Sequence, residues 1–130
     1  MNIGDIAKRA DLPTKTVRYY ADQGLVNPAG RNAAGYRIYD AKALRKLIFV
    51  RRARAMGFSI KECKKLLGLY EDQSRASADV RKIAAERLAE VTVKLEELSK
   101  LKEELTLLVN NCHGDNRPDC PILESLEKDA

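Results

Sequence analysis

Apolar residues recur at helical spacing in several short runs up to about residue 70 and in one long run beyond it, which predicts helices of two kinds. Ile3, Ile6 and Ala7 share one face behind Asn2, with Asp5 as a capping partner, and predict a first helix that ends near Ala10. Asp11-Leu12-Pro13 reads as a turn, with Thr14 as the N-cap of a second helix from Lys15 to Gln23 that Gly24 closes. Two short helices joined by a tight turn make a helix-turn-helix. Val17, Ala21 and part of Tyr20 continue its apolar face, which leaves Lys15, Thr16, Arg18 and Tyr19 outward as donors to phosphates and base edges.

From Val26 to Tyr39, Pro28, Gly30 and Gly35 interrupt any helix and the last four residues suit a strand, so a small hairpin, or wing, is expected. Asp40 caps a third helix running to about Met56, with Leu44, Leu47, Ile48 and Val50 to Ala53 inward, Arg51, Arg52 and Arg54 outward, and Gly57 as its stop. Ser59-Ile-Lys-Glu62 is a capping box for a fourth helix through Leu69, whose inner face is Ile60, Cys63, Leu67 and Tyr70.

No glycine lies between Gly68 and Gly114 and no proline between Pro28 and Pro118, so one long helix is permitted from Ala78 to Asn110. Along it Ala84, Leu88, Val91, Leu95, Leu98, Leu105 and Val109 alternate at steps of four and three, with Lys102 occupying one step of the seam. A helix of that length spans roughly 50 Å and needs a partner to bury its stripe, because the remaining chain is too short to cover it. Dimerisation through a coiled coil is the expectation.

Charge sharpens this picture. Residues 1–58 carry twelve Lys and Arg against four Asp and Glu, and the remainder twelve against fifteen, so a net +8 half adjoins a net −3 half. A basic helix-turn-helix points to a polyanionic partner such as nucleic acid. With 33% charged residues and no apolar run of membrane-spanning length, the chain is expected to be a cytosolic protein with no membrane association. A nucleophile-base pair and a phosphate loop are absent and there is one histidine, so no enzyme is expected, and the basic half disfavours a metal-storage module.

Three cysteines in a reducing compartment make a disulfide framework a poor fit. Cys63 sits on an apolar helix face and reads as a packing residue. Cys112 and Cys120 bracket the loop Cys-His-Gly-Asp-Asn-Arg-Pro-Asp-Cys, and that spacing alone admits a soft-metal site, a redox pair or two unrelated thiols. His113 is a third ligand or a solvated loop residue, while Asp115 and Asp119 suit turn geometry and solubility.

Taken together, Asn2-Ile-Gly-Asp-Ile-Ala, Lys15-Thr-Val-Arg-Tyr-Tyr20, Gly24-Leu-Val, Gly35-Tyr-Arg-Ile-Tyr39, Arg54-Ala-Met-Gly-Phe58 and Cys112 to Cys120-Pro-Ile resemble the MerR family of bacterial transcription activators, over nearly the whole chain. The spacing of the two C-terminal cysteines resembles its Cu(I)-responsive branch. That resemblance implies a mainly α fold: a winged helix-turn-helix DNA-binding domain at residues 1–70, a dimerisation helix in an antiparallel coiled coil at 77–110, and a metal-binding loop and tail at 111–130.

By position it assigns Lys15, Arg18 and Tyr20 to the recognition helix, Arg31, Tyr36 and Arg37 to wing contacts, and Arg54 to a phosphate. It makes Cys112 and Cys120 the thiolate ligands of Cu(I), or of Ag(I) or Au(I), with His113 close by. Ser77 stands where divalent-ion sensors of the family carry a third cysteine, near the partner subunit's loop, which favours a monovalent ion. The implied partners are double-stranded promoter DNA, a second copy of the chain, and RNA polymerase, engaged when the metal-bound homodimer distorts the promoter. Ala21 departs from the acidic residue expected after the paired tyrosines, and His113 with Pro118 departs from some copper-sensor loops. A thiol-based redox regulator on the same scaffold is the rival function, although redox members carry four clustered cysteines.

Overall fold

The computed structural model describes residues 1–128, so the last two positions of the C-terminal tail expected at 111–130 lie outside the described residues. Eight elements follow in order: α1 (Ile3–Ala10), α2 (Thr14–Asp22), β1 (Gly30–Arg31), β2 (Arg37–Ile38), α3 (Ala41–Ala55), α4 (Ile60–Glu71), α5 (Ser77–Asn111) and α6 (Pro121–Glu127). They divide into two compact units, Met1–Arg87 and the residues from Leu88 onward.

In the first unit α1 begins as its capping residue dictates: the Asn2 side chain accepts from the Asp5 N–H at 2.8 Å. It ends at Asp11, whose φ of 58° is left-handed, and the Leu12 N–H returns to the Ala7 carbonyl at 2.9 Å. Thr14 belongs to α2 itself, not to its cap: Pro13 holds the N-cap position, and no side chain caps that end. Gly24, at φ 79°, closes α2 in the same manner as Asp11 closes α1, with Leu25 N–H bonding Tyr20 O at 3.0 Å. A third closure of this kind follows α3, at Gly57, where Phe58 N–H reaches Ala53 O at 3.2 Å.

The hairpin is two residues deep and antiparallel, pairing Gly30 with Ile38 and Arg31 with Arg37. Asp40 caps α3 through the Ala43 N–H, and Ser59 with Glu62 makes both halves of a capping box on α4. Lys46 and Glu71, 2.9 Å apart, tie α3 to α4.

One core holds the unit together: Ile6, Val17, Leu25, Val26, Tyr39, Leu47, Val50 and Cys63 are its most deeply buried side chains. Each fully buried aliphatic side chain among them contributes about 1.5–3 kcal/mol. Two tyrosines depart from expectation in opposite directions. Tyr20 is almost wholly buried, at 6% exposed, whereas Tyr70 is 59% exposed and tilts its ring against Phe49 at a centroid distance of 5.2 Å. Arg51 also turns inward, donating to the Ala10 carbonyl at 2.7 Å and so satisfying the C-terminal end of α1.

In the second unit α5 continues through a seam that its own chain leaves uncovered. Leu88, Leu95, Leu98, Leu105 and Val109 each expose more than half their surface, and α5 as a whole buries no residue. The short helix α6, absent from the sequence-based expectation, starts on Pro121 at a position where a missing N–H costs nothing.

Gly24 adopts its left-handed backbone with nothing within 4 Å of the place a side-chain carbon would take, so adding a Cβ there meets a backbone cost alone. Gly24→Ala should lower stability by about 1–2 kcal/mol, read as a shifted urea midpoint with an unchanged slope at matched protein concentration.

Candidate functional site

A concave surface of about 600 Å³ opens between the start of α1, α2 and the wing, and its walls include Arg18, Asp22, Arg31, Tyr36 and Arg37. Arg18 stands on the outer face of α2 with Lys15 and Tyr19 displayed from the same helix, because Val17 and Tyr20 occupy the inner face. Of the residues expected to meet DNA, Tyr20 packs its ring into the core and is 6% exposed. Its neighbour Tyr19, 49% exposed and 6.0 Å from it ring to ring, is the aromatic that α2 displays.

The wing owes its shape to Asn32, a residue that periodicity and charge do not single out. Its side-chain oxygen accepts from the N–H groups of Ala34 and Tyr36, each at 3.0 Å, and Gly35 turns the chain at φ 84°. An asparagine three residues before a glycine, between breakers, was the available signal. Arg31 donates to the Gly35 carbonyl at 2.8 Å, while Tyr36 stands exposed at the tip. Arg37 faces Asp22 at 3.4 Å, and the Tyr39 side chain first and Asp22 second push its pKa further up, so it is a cation throughout the working pH range. Arg54 is exposed but already donates to the Phe58 carbonyl at 2.9 Å, which makes it part of the turn between α3 and α4.

At the other end of the chain Cys112 directly follows α5 and Cys120 holds the N-cap position of α6. Between them Gly114 is left-handed, and Asp115 accepts from the Arg117 backbone and guanidinium at 2.8–2.9 Å, which folds the loop back on itself. Both thiols are half-buried. The Leu123 backbone N–H lowers the pKa of the Cys120 thiol, with Ile122 and Cys112 adding to it against partial burial and Glu124. His113 is exposed, and among the described residues no three His, Cys, Asp or Glu side chains gather as a metal-holding group. Ser77 is the first residue of α5 and is exposed. Cys63 differs from the other two cysteines: it is fully buried, and burial raises its pKa.

Similarity to known proteins bears on both regions. The model of the MerR HTH family regulatory proteins matches residues 1–69, and that described as MerR, DNA binding matches residues 44–108. The chain belongs to the MerR family of transcription regulators. Its MerR relatives include the HTH-type transcriptional regulator HmrR of Rhizobium leguminosarum bv. viciae, 53% identical over the whole of both chains. The HTH-type transcriptional regulator CueR of Salmonella typhimurium is 42% identical over 97% of this chain and 91% of its own. Among solved MerR structures, that of the regulator PbrR691 from Ralstonia metallidurans in complex with lead(II) is 34% identical, with a TM-score of 0.80 over 97% of this chain and 98% of that one. The winged helix-turn-helix and long helix are thus those of a MerR regulator, and no helix among the described residues is long and apolar enough to cross a membrane. Both family models stop before Cys112, whereas the similarity to HmrR extends over the whole chain.

The three thiols should therefore separate by reactivity. A native-state alkylation followed by peptide mass analysis should label Cys112 and Cys120 quickly and Cys63 only after unfolding. Labelling of Cys63 at the rate of the loop thiols would show the core to be open.

Proposed function

We propose that this MerR regulator binds promoter DNA as a homodimer and activates transcription when Cys112 and Cys120 take up Cu(I), or the similar soft ions Ag(I) and Au(I). The observation that carries the metal assignment is the paired thiols of a folded loop with no third ligand gathered beside them among the described residues. Two soft sulfurs suit a monovalent ion that accepts two-coordinate geometry, whereas zinc normally takes four ligands. When bound, such an ion supplies two thiolate bonds that draw the ends of the loop into one geometry. Ser77, a poor ligand, fits the same preference by leaving the position without a third sulfur.

Dimerisation follows from the seam of α5, whose leucines stay exposed in a single chain; an antiparallel coiled coil of two copies buries them. Two basic domains then address two half-sites of one duplex, with Lys15 and Arg18 at base edges and Arg31, Tyr36 and Arg37 along the backbone, joined by Arg54 through the guanidinium donors its bond to Phe58 leaves over. Activation requires only that the loaded loop favour one of two dimer states. In that state the domains bend and untwist the promoter so that RNA polymerase engages both of its recognition elements. The lowered pKa of the Cys120 thiol, to which the Cys112 side chain contributes, also supports a thiol redox regulator, whose inducer is peroxide rather than a soft ion.

Arg18→Ala should cost about 1–3 kcal/mol of promoter affinity in a gel-shift titration if it makes a paired base contact. Unchanged affinity would remove α2 from the recognition role.

The metal assignment has a separate test, made sharper by a 34% identical relative solved with a divalent ion. Transcription in vitro from the promoter should rise with Cu(I) and with Ag(I) and stay basal with Zn(II). The Cys112→Ser, Cys120→Ser variant should remain a dimer by light scattering, bind the promoter and respond to none of the three. Zinc activation of the unaltered chain would overturn the two-coordinate site, and induction by peroxide alone would support the redox reading in its place.

A further inference from the structure

The basic cleft between α2 and the wing contains one carboxylate, that of Asp22, which is exposed and points at Arg37. Its position is demanding. Arg31 and Arg37 are direct partners across the two-stranded ladder, so two cations face each other where the wing leaves the domain, an arrangement that repels. The two guanidinia are anchored separately: Arg31 bonds the Gly35 carbonyl within the wing, and Arg37, beside the Tyr39 side chain, meets Asp22 from a different element. Asp22 lies four residues after Arg18 and thus on the same face of α2, and the first turn of α1, the positive end of that helix, lines the same cleft. One anion is set among three arginines.

A phosphate entering this cleft meets the same cations that Asp22 meets, and it is repelled by Asp22 itself. We propose that Asp22 is a positioning residue for DNA recognition: it holds Arg37 in place against Arg31 and competes with phosphate, so that the cleft discriminates a fitting duplex from random DNA. A duplex whose backbone seats on Arg37 in register offsets the repulsion through a preorganised contact. Random DNA, held loosely, meets the repulsion without that gain. The inference rests on the DNA-binding function proposed above.

The test uses the full chain with Asp22→Asn, Asp22→Ala and Asp22→Glu, and two probes of equal length: a duplex selected by the unaltered protein from a randomised library, and a random-sequence duplex. Asp22→Asn preserves size at an exposed site, and an unchanged melting midpoint checks the fold. In Asp22→Asn and Asp22→Ala, affinity for the random duplex should rise about five-fold, with log K against log salt steeper by about one, since one more cation meets phosphate. Affinity for the selected duplex should stay level or fall, so the ratio of the two drops about five-fold or more. Asp22→Glu, which keeps the carboxylate, should retain the original ratio. An equal change on both duplexes in Asp22→Asn, or loss of the ratio in Asp22→Glu, would overturn the proposal. An unaltered protein that binds neither duplex in a salt-dependent way would overturn the DNA-binding function itself.

Discussion

Three left-handed residues, Asp11, Gly24 and Gly57, set the frame on which everything in the first unit depends. After each, the next N–H reaches back five residues to a helix carbonyl, which satisfies an orphaned acceptor and swings the following side chain toward the core. Leu25 and Phe58 are buried by that swing, and Leu12 packs against the same core. The angles between α1 and α2, between α2 and the wing, and between α3 and α4 follow from these closures. The placement of Arg18 and of the hairpin therefore has its origin in backbone geometry at three positions. Two are glycine, which adopts that conformation without steric cost, and the third is an aspartate, among the few other residues that tolerate it.

The excess of basic residues in the N-terminal half serves two physical purposes. Arg51 and Arg54, joined by Arg87 from α5, donate to the carbonyls of Ala10, Phe58 and Met56, so these guanidinia close helix ends and turns inside the unit. Arg87 lies over Gly57, in the space that any side chain at that position would fill. Arg18, Arg31 and Arg37 instead converge on the cleft beside the wing. Counting arginines gives the strength of the field around the domain, while helix geometry decides which of them a ligand meets.

The thiol loop is built in a different way. It has no buried residue, and its order comes from short-range devices: the left-handed Gly114, the Asp115–Arg117 pairing, and the start of α6 at Pro121. These set one sulfur at the end of one helix and the other at the beginning of the next across a short loop, with backbone N–H groups favouring the thiolate at Cys120. A loop held by such local contacts responds readily to whatever binds its thiols, because little packing opposes the change.

What the sequence determined by itself is what short-range physics controls. The caps at Asn2, Asp40 and Ser59, the stops at Gly24 and Gly57, the small hairpin and the seam of the long helix were all legible, since each rests on interactions within a few residues. Tertiary structure decided the rest. Tyr19 and Tyr20 are adjacent and chemically identical, and only packing against the core buries the second and leaves the first at the surface. Tyr70 fits a helical inner face by spacing, yet it stays exposed, with Phe49 covering its ring only in part. Arg51 has the pattern of a surface cation, and only the arrival of α1, whose Ala10 lies forty-one residues earlier in the chain, supplies the carbonyl that draws it in. The same holds for Asp22, whose partner Arg37 comes from the wing. Periodicity reports the face a residue occupies on its own helix, whereas the element that comes to lie against that face depends on how the whole chain packs.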